Sequence, residues 1–181
     1  EEMKQRYEKI HGVTGVTFGT LHSVFYRILR RSDPRRYAIE HLLLEDKKKS
    51  ILQNLIKELE LDEEEDFIEN FTKHLSLMQN QLIESKNYYP EGISREAFIK
   101  LLKHYEAFKE RHQAFDFDDM LVACYYLLDN DDAILKVVRA QYQYILIDEF
   151  QDINEVQFRI IKKIAEAKRQ IFVVGDDDQS I

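Results

Sequence analysis

Apolar residues recur along this chain with two different periods, and the period changes twice. Met3, Tyr7 and Ile10 are spaced through a charged opening stretch as on one face of a helix. Residues 13–18 (V-T-G-V-T-F) are β-branched and aromatic and stand between Gly12 and Gly19, which predicts a strand. Leu21, Val24, Phe25, Ile28 and Leu29 return to helical spacing until Pro34 ends it. From there to about residue 113 only helical periods occur. Ile51, Leu52, Leu55, Ile56 and Leu59 form one stripe after Asp46. Phe67, Phe71, Leu75, Met78 and Leu82 form a second after the acidic run 62–66, whose carboxylates suit a helix start. Phe98, Leu101, Leu102, Tyr105 and Phe108 form a third; Pro90 and Gly92 break the chain before it, and Ser94 is placed to cap it. From Phe115 onward strand and helix signals alternate. Asp116 or Asp118 caps a helix through Leu128, residues 144–147 form a short apolar strand, and an Asn154–Gln157 capping box opens a helix to Lys168. A second apolar strand, 170–174, ends at Gly175.

Short apolar strands separated by a helix predict parallel pairing with both faces buried. Three amphipathic stripes in a row can close a helical core of their own. The expected fold is therefore α/β: a parallel-sheet layer from residues 1–34 and 113–181, interrupted by an all-helical insertion over residues 35–112. The 181 residues suffice for this, and 44% hydrophobic with 33% charged residues fits a helix-rich globular protein. A formal charge of -8 speaks against coating nucleic acid through bulk positive charge, although a local basic strip could still hold it. Cys124 is the single cysteine, which excludes an intrachain disulfide and cysteine-rich zinc sites. With no apolar run of membrane-spanning length and no secretory signal, the expected setting is reduced, intracellular and soluble, hence cytoplasmic.

Two stretches carry the strongest chemical signal. Residues 144–152 read Y-I-L-I-D-E-F-Q-D, a strand that delivers two carboxylates to its C-terminal end, where parallel sheets bind ligands. Asp148 can hold Mg²⁺, directly or through water, while Glu149 can orient the water that attacks a γ-phosphate. Two solvated acids at a strand end are common; Phe150, Gln151 and Asp152 behind them change the balance. Residues 171–180 read I-F-V-V-G-D-D-D-Q-S and repeat the design, with a glycine allowing a tight exit. Gln179 there offers both a donor and an acceptor to a phosphate oxygen. A calcium loop or an acidic turn is the plainer reading, but an EF-hand lacks its closing glutamate. Gly19-Thr20-Leu21-His22-Ser23 sits at a strand-to-helix junction, where hydroxyls and backbone N–H groups make phosphate contacts; His22 could equally be a satisfied histidine at a helix start. The acids of Phe115-Asp116-Phe117-Asp118-Asp119-Met120-Leu121 read most simply as helix capping.

Together these four motifs resemble the UvrD/Rep family of superfamily 1 DNA helicases. That family carries D-E-F/Y-Q-D, here 148–152; G-D-x-x-Q-S-I, here 175–181; G-T-F-H-S, here with Leu21 for the aromatic; and D-F-D-D-L, here with Met120 for Leu. The opening Glu1-Glu2-Met3-Lys4-Gln5-Arg6 resembles the helix after the family's first DNA-contacting motif. The resemblance implies a partial RecA-like ATPase layer interrupted by a 1B-type helical subdomain. It implies ATP and Mg²⁺ as cofactors, with Asp148 the metal ligand, Glu149 the catalytic base or water-orienting group and Gln179 the γ-phosphate sensor. Thr20, His22 and Ser23 would lie near single-stranded DNA, with Gln151 and Asp152 coupling the ATP site to the DNA groove. Asp118 and Asp119 receive a structural role. Single-stranded and duplex DNA and the second motor domain of the same parent would be the partners, movement 3′ to 5′, and the setting DNA repair or replication.

A triphosphate site also needs a G-x-x-x-x-G-K-[ST] loop. The glycines are Gly12, Gly15, Gly19, Gly92 and Gly175, and none is followed by Lys. The resemblance puts that loop before residue 1 and an arginine finger beyond residue 181, so the expectation is a helicase fragment that does not hydrolyse ATP alone. A nuclease-helicase of the AddA/RecB type is a possible parent. The competing reading is a non-catalytic helical DNA- or protein-binding module on a degenerate ATPase layer.

Overall fold

The computed structural model describes residues 2–12, 15–61, 66–167 and 170–176. Helices dominate it: α1 (Glu2–His11), α2 (Leu21–Ser32), α3 (Glu45–Glu58), α4 (Phe67–Asn80), α5 (Arg95–Arg111), α6 (Phe117–Asn130), α7 (Asp132–Gln141) and α8 (Glu155–Ala165). β1 (Ile145–Ile147) and β2 (Ile171–Val173) pair in parallel, Ile145 opposite Ile171 and Ile147 opposite Val173, with α8 as the crossover. None of the helices is long and apolar enough to cross a membrane.

The caps follow the sequence signals. Thr20 accepts from the Ser23 N–H, Ser94 from the Ala97 N–H, and Asp116 and Asn154 each close a full capping box with Asp119 and Gln157. Asp46 does not precede its helix but lies inside it, because α3 starts at Glu45 with Leu44 as an uncapped N-cap. Leu82 lies beyond the end of α4, in the left-handed region at φ 55°.

Three expectations are corrected. The strand read over 13–18 is absent from its described part, 15–18. Phe18 instead meets the Tyr7 ring of α1 at 5.5 Å, since strand preference is expressed only where a neighbouring strand offers a ladder. Helix α7 was not anticipated, although the Asp131 carboxylate caps it by accepting the Ala133 and Ile134 N–H groups and Leu135 and Val138 bury one face. The strands are not buried on both faces: Leu146 and Phe172 are 76% and 62% exposed, and only Ile147 reaches the core. No further strand pairs with these two among the described residues, and all three β2 residues are exposed.

Buried side chains fall into two clusters. One gathers Phe25, Ile28 and Leu29 of α2, Leu121, Cys124 and Leu128 of α6, Val156, Ile160 and Ile161 of α8, and Ile147. The other gathers Leu52 and Ile56 of α3, Phe71 and Leu75 of α4, and Phe98, Leu101 and Tyr105 of α5. The two passages of chain between them run side by side. Leu43 N–H donates to the Phe115 carbonyl at 2.8 Å and Phe115 N–H to the His41 carbonyl at 3.0 Å. Arg36 ties the same passages, donating to the Gln113 carbonyl at 2.6 Å and lying over the rings of Tyr37 and Phe115.

Candidate functional site

The parallel register continues past the strands, and this brings the two acidic exits together. Val174 N–H donates to the Ile147 carbonyl at 2.8 Å and Phe150 N–H to the Val174 carbonyl at 2.9 Å. Between those bonds the chain turns at Asp148 and Glu149. Glu149 takes the left-handed conformation (φ 53°, ψ 47°), uncommon for a residue with a Cβ and typically costing about 1–3 kcal/mol. The Asp148 carboxylate supports the turn by accepting the Glu149 N–H on Oδ1 at 3.1 Å. A one-turn 3-10 helix, Phe150–Asp152, then carries Gln151 back over the exit. Gln151 Nε2 donates to Glu149 Oε2 at 2.6 Å, and Gln151 Oε1 accepts the Asp176 N–H at 3.1 Å.

Gly175 was read as a tight exit, but what it supplies is space. A Cβ there would stand 2.8 Å from Gln151 Oε1, whereas its φ is not among the positive ones. Asp148 and Glu149 are exposed, and no described lysine or arginine forms an ion pair with either. Asp148 Oδ2 makes no hydrogen bond among the described residues, so it is open to a cation. Among the described residues no three His, Cys, Asp or Glu side chains form a metal cage. One carboxylate supplemented by water and phosphate oxygens is a common way to hold Mg²⁺, and this donor set fits it. Gln179 lies outside the described residues, as do 177–181 altogether.

At the N-terminus of α2, Thr20 Oγ1 accepts the Ser23 N–H at 3.3 Å and Ser23 Oγ donates to the Thr20 carbonyl at 2.8 Å. His22 is half-buried and meets the Phe117 ring edge-on at 5.9 Å. Burial holds its pKa below the ordinary histidine value, with Asp118 pulling the other way. The structure thus joins His22 to the 115–121 motif, which the sequence left separate. It does not bring Thr20, His22 or Ser23 into hydrogen bonding with Asp148 or Glu149.

The acids of that motif do more than cap α6. Asp116, fully buried, meets Lys48 Nζ at 2.9 Å and accepts the Tyr105 hydroxyl at 3.1 Å. Asp119 meets Lys109 Nζ at 2.7 and 2.8 Å and accepts Gln79 Nε2 at 2.8 Å. Asp118 accepts Ser76 Oγ at 3.1 Å and Asn80 Nδ2 at 3.0 Å, and Asn80 in turn accepts Asn154 Nδ2 at 3.1 Å. Three carboxylates of α6 therefore reach α3, α4 and α5, and through Asn80 the start of α8. Burial works to raise the Asp116 pKa, but Lys48 and Lys109 outweigh it and hold the carboxyl below its ordinary value. Lys48 and Lys109 escaped sequence reading. Their signal was a lysine in line with an apolar stripe, Lys48 one turn before Leu52 and Lys109 one turn after Tyr105.

Over residues 1–181 the sequence matches the family described as UvrD/REP helicase N-terminal domain. The chain belongs to this family. Among UvrD/REP relatives, a putative ATP-dependent DNA helicase, YjcD of Bacillus subtilis (strain 168), is 35% identical over 99% of this chain and 24% of its own length. The ATP-dependent DNA helicase PcrA of the same organism is 30% identical over 99% of this chain and 25% of its own. PcrA of Staphylococcus aureus (strain Mu50 / ATCC 700699) is 29% identical over 99% and 26%. The chain thus spans about a quarter of the length of these UvrD/REP relatives.

Proposed function

We propose that this chain is a segment of an ATP-driven DNA helicase motor that moves 3′ to 5′ on single-stranded DNA and unwinds duplex in DNA repair or replication, in the cytoplasm. The observation that carries the proposal is the joined pair of strand exits, which presents Asp148 and Glu149 to solvent with no described cation neutralising them. Residues 1–34 and 113–181 form the partial RecA-like ATPase part, and residues 35–112 the 1B-type helical insertion; the two clusters of buried side chains support that division.

Bound Mg²⁺ would neutralise charge on the phosphates of ATP. Asp148 would hold that ion, directly or through water. Glu149 accepts a hydrogen bond from the attacking water and takes its proton as the γ-phosphate departs. Gln179 reads the γ-phosphate, and Gln151 and Asp152 pass that state toward the DNA. Thr20, His22 and Ser23, at a helix N-terminus whose dipole favours anions, contact DNA backbone and bases. The second motor domain of the same parent closes the groove. The 181 residues contain no G-x-x-x-x-G-K-[ST] loop and do not hydrolyse ATP by themselves; DNA-stimulated phosphate release from the purified chain, vanishing in Glu149→Gln, would refute this.

The deciding experiment is Glu149→Gln in the longer motor. The amide keeps shape but cannot accept the proton, so turnover falls by about 10²–10⁴-fold while ATP binding persists. Wild-type turnover in that variant assigns the chemistry elsewhere, and a non-catalytic binding module would show no turnover to lose.

A further inference from the structure

We infer that Gln151 is a positioning residue for Glu149, anchoring the water-orienting carboxylate to the exit of the neighbouring strand; this rests on the reading of Glu149 proposed above. The orientation of the carboxamide is fixed by its two partners. Glu149 Oε2 can only accept in its ionised form and the Asp176 backbone N–H can only donate, so Nε2 must face Glu149 and Oε1 must face Asp176. Gln151 therefore spans the two exits with both ends engaged. Its backbone is held as well: Phe150 N–H is bonded to Val174, and Asp152 N–H to the Glu149 carbonyl at 3.0 Å.

Glu149 needs such a support. It sits on an exposed left-handed turn, and among the described residues its side chain makes no other hydrogen bond. An untethered glutamate samples many rotamers, and a water-orienting group must be held close to one. Gly175 completes the device by leaving room for Oε1. Any displacement of the β2 exit, where a ligand's phosphates would lie, moves the Asp176 N–H and with it the carboxylate across the crevice.

The test uses steady-state kcat and KM for ATP of the longer motor on single-stranded DNA, for four variants. Gln151→Ala and, by displacing Oε1, Gly175→Ala should each lower kcat about tenfold to a hundredfold with KM for ATP within about twofold. Gln151→Glu keeps an acceptor for the Asp176 N–H but sets a second carboxylate against Glu149. It should lower kcat at least as far as Gln151→Ala does, again with KM for ATP within about twofold, because the two carboxylates repel and Glu149 leaves the position the amide held. A Gln151→Ala enzyme with wild-type kcat overturns the inference. So does a Gln151→Glu enzyme of wild-type kcat, or a Gln151→Ala enzyme whose KM for ATP rises about tenfold or more beside its fall in kcat, since a merely structural glutamine would give that result. Glu149→Gln is the control: retained turnover there removes the underlying reading, whereas its loss beside normal Gln151 variants removes only this inference.

Discussion

Asp116 and Glu149 both belong to short acidic runs beside a phenylalanine, at the start of helical turns, yet one is 0% exposed and the other lies open to solvent. Around Asp116 and Asp119 the chain has assembled Lys48, Lys109, Tyr105 and Gln79, and both capping-box bonds are made. Around Asp148 and Glu149 it has assembled amides: one backbone N–H and the Gln151 carboxamide. The first cluster sets a lysine against each of its two buried carboxylates and joins α6 to α3, α4 and α5. The second has no described lysine or arginine paired with it, which leaves its carboxylates available to a cation. Acid count does not separate a structural carboxylate from a chemical one; what the fold sets opposite each acid does.

The sharpest break between the clusters is a variant that destroys chemistry without touching stability. Glu149→Gln should cost turnover of the longer motor about 10²–10⁴-fold, yet leave the unfolding free energy of the 181-residue chain in urea within about 0.5 kcal/mol of wild type. A large loss of stability there would place Glu149 among the structural acids. The converse is Lys48→Met, which strands Asp116 without its nearest cation. Removing one partner of a buried pair typically costs about 3–5 kcal/mol, and urea denaturation should read a loss of that order. Replacing both, Lys48→Met with Asp116→Leu, should recover much of it, apart from the lost cap. If Lys48→Met is neutral, the two clusters do not differ in the way described.

Acid sharpens the contrast further. Asp116 has a folded pKa below its unfolded value, so its contribution is present above the ordinary carboxylate range and lost as pH falls through the lower folded value. Chain stability should therefore drop between roughly pH 4 and pH 2 by more than that of an Asp116→Asn variant, read by denaturation at each pH. The smallest effect belongs to the DNA side. Fluorescence anisotropy across a salt series should show weak, salt-sensitive binding of the chain to single strands, with unrelated sequences differing by less than tenfold, about 1.4 kcal/mol. Tight binding with larger discrimination would demand base-edge readout and favour a binding module over a motor.

Much of this was legible in the residues. Ser94, Asn154–Gln157 and Asp116 announced their caps because capping is a local bond between groups three residues apart. The three apolar stripes of the helical stretch were equally local, as was the strand-acid-acid pattern at 145–149. Failures came where partners are distant. Residues 15–18 had strand composition without a ladder, and Leu146 and Phe172 had core composition on an open sheet face. Helix α7 was different, since Asp131 and the Leu135–Val138 spacing carried its signal.

By itself, then, the sequence determined most of the helices and caps and the motifs that mark a UvrD/REP helicase domain, which depend on neighbours within a few residues. Only the tertiary structure decided which acids are neutralised and which remain free. Lys48 lies 68 positions before Asp116 and Gln151 lies 25 before Asp176. The Coulomb interaction and the hydrogen bond depend on separation in space, and no periodicity along the chain encodes that separation.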